Sequence, residues 1–269
     1  MMLGMVNRLF ALKVWRLIIV LALFNWCEMV FAAKPDLTML IGNESPPKMF
    51  LKDDGRPDGY FTELAYEVGR RAGYNIHIVG VPWARAMKMA ELGDGVICGV
   101  SSLPERKKIF KFSTPVVVDR VLIVTMKNKK LTASSLADLK GLVVGVNRGS
   151  KYGSKFASEL QLVHVDEDNN GLSRLRKLAL GRIDAAIMPG GIAAVRLNAK
   201  TANIEFNDLT IQKTPITLDP NYFAIARSRP DANEIIDRLN NALSLMSADG
   251  SLNQILDSWG VTTDTLEKH

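Results

Sequence analysis

The sequence predicts an α/β protein folded as two similar lobes, on three observations. Apolar residues at strand spacing alternate with apolar residues at helix spacing along the chain. Alternation of that kind lays helices over largely parallel sheets. The pattern breaks at the basic polar stretch 127–130 and then starts again, as a second lobe would. The chain has 269 residues, 47% of them hydrophobic and 23% charged, enough for two separate cores.

A different signal precedes the first strand. Arg8, Lys13 and Arg16 form a positive region ahead of the apolar run 17–24. That run is too short for a bilayer span, which takes about 20 residues. Val30-Phe31-Ala32 follows where a signal peptidase cuts. Residues 1–32 are therefore expected to be a secretory signal, cleaved after Ala32 or Ala33 to leave a periplasmic protein. Asn25 and Glu28 interrupt the apolar run and argue against an uncleaved anchor. Phe24-Asn25-Trp26 before Cys27 lacks the small residues that lipoprotein processing prefers.

The elements then follow in order. Residues 37–41 form a short apolar strand, and Gly55, Pro57 and Gly59 mark a turn. Helix 61–72 sets Leu64, Ala65, Val68 and Ala72 on one face, with Tyr60 and Phe61 packing beneath it. Strand 76–81, helix 84–92 closed by Gly93, and strand 95–100 come next. Strand 121–126 runs into the basic loop. After the restart come a short helix at 136–139 and a strand at 142–146. Asn147-Arg148-Gly149-Ser150 then opens a helix to about 160. An amphipathic helix at 172–180 stops at Gly181, before strand 183–188. Strand 222–226 and helices 231–246 and 252–259 complete the pattern.

Composition excludes several function classes. The formal net charge is +6, of which residues 1–32 contribute +2 and the remaining +4 is scattered. No basic run is interleaved with aromatics, so the reading is a solvated basic surface and no nucleic-acid partner. Beyond the signal only Cys98 remains, which cannot form an internal disulfide and reads as a small buried hydrophobe. His77, His164 and His269 lack metal-ligand spacing, and neither metal nor cofactor is expected. No Ser/His/Asp or Cys/His set is evident, and the protein is not expected to be an enzyme.

Five stretches together resemble the family 3 extracellular solute-binding proteins. They are Asp53-Asp54-Gly55-Arg56-Pro57-Asp58-Gly59-Tyr60-Phe61; Gly99-Val100-Ser101-Ser102-Leu103-Pro104-Glu105-Arg106 with Phe112-Ser113-Thr114-Pro115; Leu136-Ala137-Asp138-Leu139-Lys140-Gly141 with Val144-Gly145-Val146 and Gly149-Ser150; Gly181-Arg182-Ile183-Asp184-Ala185; and Asp249-Gly250 through Ile255 to Trp259-Gly260. They run in the family's order over about 36–260. Trp83-Ala84-Arg85-Ala86-Met87 looks like a variant of a proteobacterial subgroup. The resemblance implies the type II periplasmic-binding fold serving polar amino-acid ABC transporters. Its two lobes, 34–123 plus 218–263 and 124–217, would be joined by two crossing strands, with hinges near 124–126 and 214–218.

The resemblance also implies where ligand binds. Arg106 stands at the position of the ligand-carboxylate arginine, and a guanidinium fork matches two carboxylate oxygens. The Pro-Glu-Arg run reads as a helix start, whose free N–H groups favour an anion. Ser101 and Ser102 would add donors from lobe one, and Gly149 and Ser150 would grip the same carboxylate from lobe two. Trp83 lies in or next to the position of a stacking aromatic. Two positions depart from the family: the acid that meets an α-ammonium falls at about Pro189, and Ser45 stands where an aromatic is common. Glu44 could supply the missing negative charge.

The expected function is a periplasmic receptor that closes on a small polar, carboxylate-bearing, amino-acid-like ligand and feeds an ABC permease, acting as a monomer. The alternatives are a sensor working through a partner receptor, and an enzyme of the same fold such as a cyclohexadienyl dehydratase, with Glu44 as its candidate acid or base.

Overall fold

The computed structural model describes residues 34–212 and 214–261; the expected signal, residues 1–32, lies outside them. The first half opens with β1 (Asp36–Gly42) and a small antiparallel sheet of β2 (Glu44–Ser45), β3 (Met49–Leu51) and β4 (Pro57–Asp58). It continues through α1 (Tyr60–Arg71), β5 (Asn75–Val81), α2 (Trp83–Leu92), β6 (Val96–Ser101), α3 (Pro104–Ile109) and β7 (Phe110–Phe112). The long strand β8 (Val117–Met126) leads into the second half. There follow β9 (Val143–Asn147), α4 (Gly153–Glu159), β10 (His164–Asp168), α5 (Gly171–Ala179), β11 (Ala185–Met188), α6 (Gly191–Ala202) and β12 (Leu209–Ile211). A second long strand, β13 (Thr217–Ala226), returns to the first half, which α7 (Ala232–Ala248) and α8 (Ser251–Ser258) complete.

The strands lie in the order β10-β9-β11-β8-β13-β6-β1-β5, with β12 on β8 and β7 on β13. Pairing is parallel among β5, β1 and β6 and among β11, β9 and β10. Every pairing of β8 and β13 is antiparallel. These two strands carry the sheet from one half to the other. Residues 117–121 of β8 pair with 217–221 of β13, while 122–124 pair with β11.

Period-two burial explains why helices cover both faces. Met39 and Ile41 pack with α1, α7 and α8, whereas Leu40 packs with Ala86 and Ala90 of α2. In the second half Val121 and Ile123 join one core and Leu122 and Val124 another. A strand buried on both faces reads as a continuous apolar run. β10 is the exception: its sequence His-Val-Asp-Glu-Asp is mostly exposed at the sheet edge and carries no such run. Helix α1 begins where Gly59 turns the chain at φ 108°, with an added Cβ only 2.6 Å from the Lys48 carbonyl oxygen. That conformation and that approach both require glycine. Tyr60 and Phe61 are buried beneath the helix, and Cys98 is buried on β6, where burial pushes its thiol up.

This topology positions a site. The parallel strands of both halves end at the same place: β1 before Glu44 and Ser45, β5 before Trp83, and β6 at Ser101. On the facing side β9 ends at Asn147, β10 before Asn170, and β11 before Pro189. Carboxyl ends of strands are where open α/β sheets leave a crevice.

Candidate functional site

A cleft of about 710 Å³ opens between these strand ends. The first half contributes Trp83, Ser101, Arg106 and the loop 45–49. The second contributes Asn147, Ser150, Tyr152, Asn170, Arg174 and Gly190. Asp219 comes from the crossing strand β13.

Arg106 is 8% exposed and belongs to α3. Its Nη1 donates to the Ser101 carbonyl at 3.2 Å, and among the described residues it makes no ion pair. Burial lowers its pKa, against the pull of Asp219 and Glu105. Helix α3 has six residues, so the anion-favouring helix start expected beside Arg106 is a short turn. Ser101 Oγ donates to Asp219 Oδ2 at 2.5 Å, which ties the serine to the crossing strand. Ser102, half-buried, follows it off the cleft wall. Trp83 lines the cleft, and its Nε1 is buried without a hydrogen-bond partner among the described residues. The Tyr152 hydroxyl on the facing wall is likewise unpartnered, with its pKa pushed up to about 12 by burial. Two orphaned donors on opposite walls suit a ligand rich in acceptors.

In the second half, Ser150 lines the cleft 3.2 Å from the Asn147 amide. Gly149 is exposed at the rim, where an added Cβ would stand 3.7 Å from Ala84 of α2. Helix α4 begins at Gly153, later than the sequence pattern suggests. The helices that open at the cleft are instead α5, capped by Asn170 Oδ1 accepting from Ser173 N, and α6, preceded by Gly190. Glu44 lies beside the cleft and bridges it: its Oε2 accepts from Asn170 Nδ2 at 2.7 Å. Lys151 and Glu105 approach across the same opening at 3.4 Å. Glu44→Ala is expected to loosen this closure, raising the radius of gyration of the ligand-free protein in small-angle scattering. An unchanged radius would show that the bridge does not hold the halves together.

Sequence reasoning missed a charged network beneath the cleft. Lys48 Nζ lies 3.2 Å from Asp119 Oδ2 and also donates to Asn221 Oδ1. Asp119 Oδ1 accepts from Gly190 N at 2.6 Å, so this acid of β8 holds the loop after β11. Gly99, at φ 73°, leaves room for the lysine stem: a Cβ there would stand 3.0 Å from Lys48 Cε. Arg174 is 1% exposed and saturated, with Nη2 2.5 Å from Asp168 Oδ1 and Nη1 donating to the Ile187 carbonyl at 2.7 Å. One signal was available: Asp119 and Asp219 are single acids inside strand-forming stretches, where a charge is costly unless engaged.

A cleft with polar side chains on both walls, set between two halves that share their crossing strands, is that of a receptor enclosing a small polar molecule. The chain belongs to the bacterial extracellular solute-binding proteins, family 3, whose family model matches residues 37–262. It is similar to the L-cystine-binding protein TcyJ of Escherichia coli strain K12, 29% identical over 227 residues that cover 82% of each chain. It also resembles ABC transporter arginine-binding protein 1 of the same strain, 34% identical over 62% of this chain and 65% of that protein. Among solved structures, an ancestral arginine-binding protein bound to arginine superposes with a TM-score of 0.70 at 25% identity, covering 82% of this chain and 97% of that one. A mutant of the arginine-binding protein ArgBP from T. maritima gives 0.70 at 23% identity, covering 84% and 96%. The mixed α/β fold is thus that of the type II periplasmic-binding proteins.

Proposed function

We propose that this chain is the periplasmic receptor of an ABC-type importer, exported by a cleaved signal, non-catalytic and monomeric. Its lobes, 34–123 plus 218–263 and 124–217, close on a small amino-acid-like ligand whose carboxylate lies on Arg106. The observation that carries this reading is the guanidinium itself. It is buried on the cleft wall, bonded to a main-chain carbonyl and outside every ion pair among the described residues. A carboxylate satisfies its remaining fork. Ser101 is already committed to Asp219 and Ser102 stands off the cleft wall, which leaves the Ser150 hydroxyl, beside the Asn147 amide, on that wall, with Gly149 allowing close approach at the rim. Trp83 covers the apolar part of the ligand, and its Nε1 and the Tyr152 hydroxyl offer further hydrogen bonds. The cystine- and arginine-binding relatives support an amino acid as ligand.

A thermal-shift panel of the standard L-amino acids, L-cystine and simple carboxylic acids tests this. At a ligand concentration about a hundredfold above Kd, stabilisation is about 2.7 kcal/mol. For a chain of this size that raises Tm by about 5–11 °C. No shift with any carboxylate-bearing compound would overturn the reading.

A further inference from the structure

Three of the cations in the cleft wall have acids of their own. Lys48 pairs with Asp119, Lys151 with Glu105, and Arg174 with Asp168. Arg106 and Asp219 are left, one of each sign. Asp219 is 4% exposed and lines the cleft. Its hydrogen-bond partners are neutral: Ser101 Oγ from β6 at 2.5 Å and Asn221 Nδ2 from its own strand at 3.3 Å. Directly across on β8 stands Asp119, whose two oxygens are taken by Lys48 and Gly190. Lys48, from the loop below, is divided between Asp119 and Asn221, and Arg106 of α3 is turned to the Ser101 carbonyl. Among the described residues no ion pair reaches Asp219.

We propose that Asp219 receives a cationic amine of the ligand, so that the cleft selects a zwitterion with its carboxylate on Arg106 and its ammonium on Asp219. This rests on the reading of Arg106 given above. A buried carboxylate held by neutral donors beside a second acid disfavours its own charge. Burial first, and Asp119 after it, push the Asp219 carboxyl up to about 6, while Ser101, Lys48 and Arg106 pull the other way. An entering ammonium reverses the balance. The carboxyl proton leaves for solvent and the carboxylate pairs with the ammonium, so a neutral acid and a cation become an ion pair and a released proton. Affinity for an amine-bearing ligand therefore rises as pH climbs through about 6 and levels off above it. An acid without an amine gains nothing, because ionised Asp219 repels it.

Calorimetric titration of wild type and Asp219→Asn, at about pH 5 and about pH 7.5, tests this. The titrants are the standard L-amino acids and L-cystine, each beside the carboxylic acid of the same chain without its amine. The best amino acid is expected to bind wild type about tenfold tighter at the higher pH. Asp219→Asn is expected to lose about tenfold or more at that pH, together with the pH dependence. The amine-free acid should lose nothing in the variant, and at the higher pH should bind it somewhat tighter, since Asn does not repel it. The ligand-free melting temperature of the variant should not fall at the higher pH. Asp219 holds its proton more tightly folded than unfolded, so its ionisation destabilises the fold as pH rises through about 4 to 6. Should the variant not fold, the matched pair of titrants on wild type at the two pH values decides the matter. Binding by Asp219→Asn within about threefold of wild type, or equal affinity of wild type for both titrants, overturns the proposal. If amine-free acids bind and no amino acid does, Asp219 loses its role and the Arg106 reading stands. If nothing bearing a carboxylate binds, both fall.

Discussion

Arg106→Ala is expected to weaken binding of the best amino acid in the panel by about a hundredfold to several thousandfold, while leaving the ligand-free fold nearly unchanged. The range follows from stranding an anion in a closed cleft, at about 3–5 kcal/mol. Ligand-free, the guanidinium bonds to one main-chain carbonyl and, among the described residues, to no acid, so its removal leaves no ion-pair partner among them. It also withdraws a cation that favours the charged form of Asp219, so that carboxyl should titrate still higher in the variant. Arg106→Lys should recover part of the affinity, because a point charge cannot reproduce a planar fork. Calorimetric titration beside ligand-free melting curves measures both effects. Binding by Arg106→Ala within about threefold of wild type, less than ~1 kcal/mol, would remove the carboxylate from this residue.

Arg174→Ala is expected to do the opposite, destabilising the ligand-free protein by about 3–5 kcal/mol. For a chain of this size that lowers Tm by about 6–20 °C. Arg174 and Asp168 are both buried, and the guanidinium also satisfies the Ile187 carbonyl. Alone, Asp168 becomes a buried charge without its main partner. Burial already raises its pKa and Arg174 lowers it, so removing the arginine raises it further. A carboxyl with a raised folded-state value loses stability as pH increases, so the deficit should be larger near neutrality than in mild acid. Replacing both residues together, as Arg174→Met with Asp168→Leu, should restore much of the loss, since a packed apolar pair needs no charge compensation. Melting curves at two pH values test this. A Tm for Arg174→Ala within about 2 °C of wild type would show that the pair contributes little.

Set side by side, these two arginines show where reading a sequence stops. Both stand early in a helix after a strand, and spacing alone does not tell a ligand-binding guanidinium from a structural one. The partner each one meets in the fold does. Arg174 meets Asp168 from the neighbouring strand end, and Arg106 meets a main-chain carbonyl. The negative charge sought near Pro189 or at Glu44 shows the same limit. Pro189 lines the cleft, and Glu44 bridges to Asn170 beside it. The buried acid in the wall is Asp219, which lies in sequence next to Pro220 and nowhere near either position.

What the sequence by itself determined was the alternation of strands and helices, its restart after residue 130, the burial of Tyr60, Phe61 and Cys98, and the family. These depend on periodicity and on local motifs, which are written along the chain. Tertiary structure alone decided that β8 and β13 pair antiparallel across the two halves, bringing Asp119 opposite Asp219, Lys48 onto Asp119 and Ser101 onto Asp219. It also decided that the exposed edge strand β10 exists and that α5 and α6, more than α4, open on the cleft. Polar partners 173 residues apart, as Lys48 and Asn221 are, leave no periodic trace. Coulomb attraction and desolvation act through space, and only the folded chain fixes the distances on which they depend.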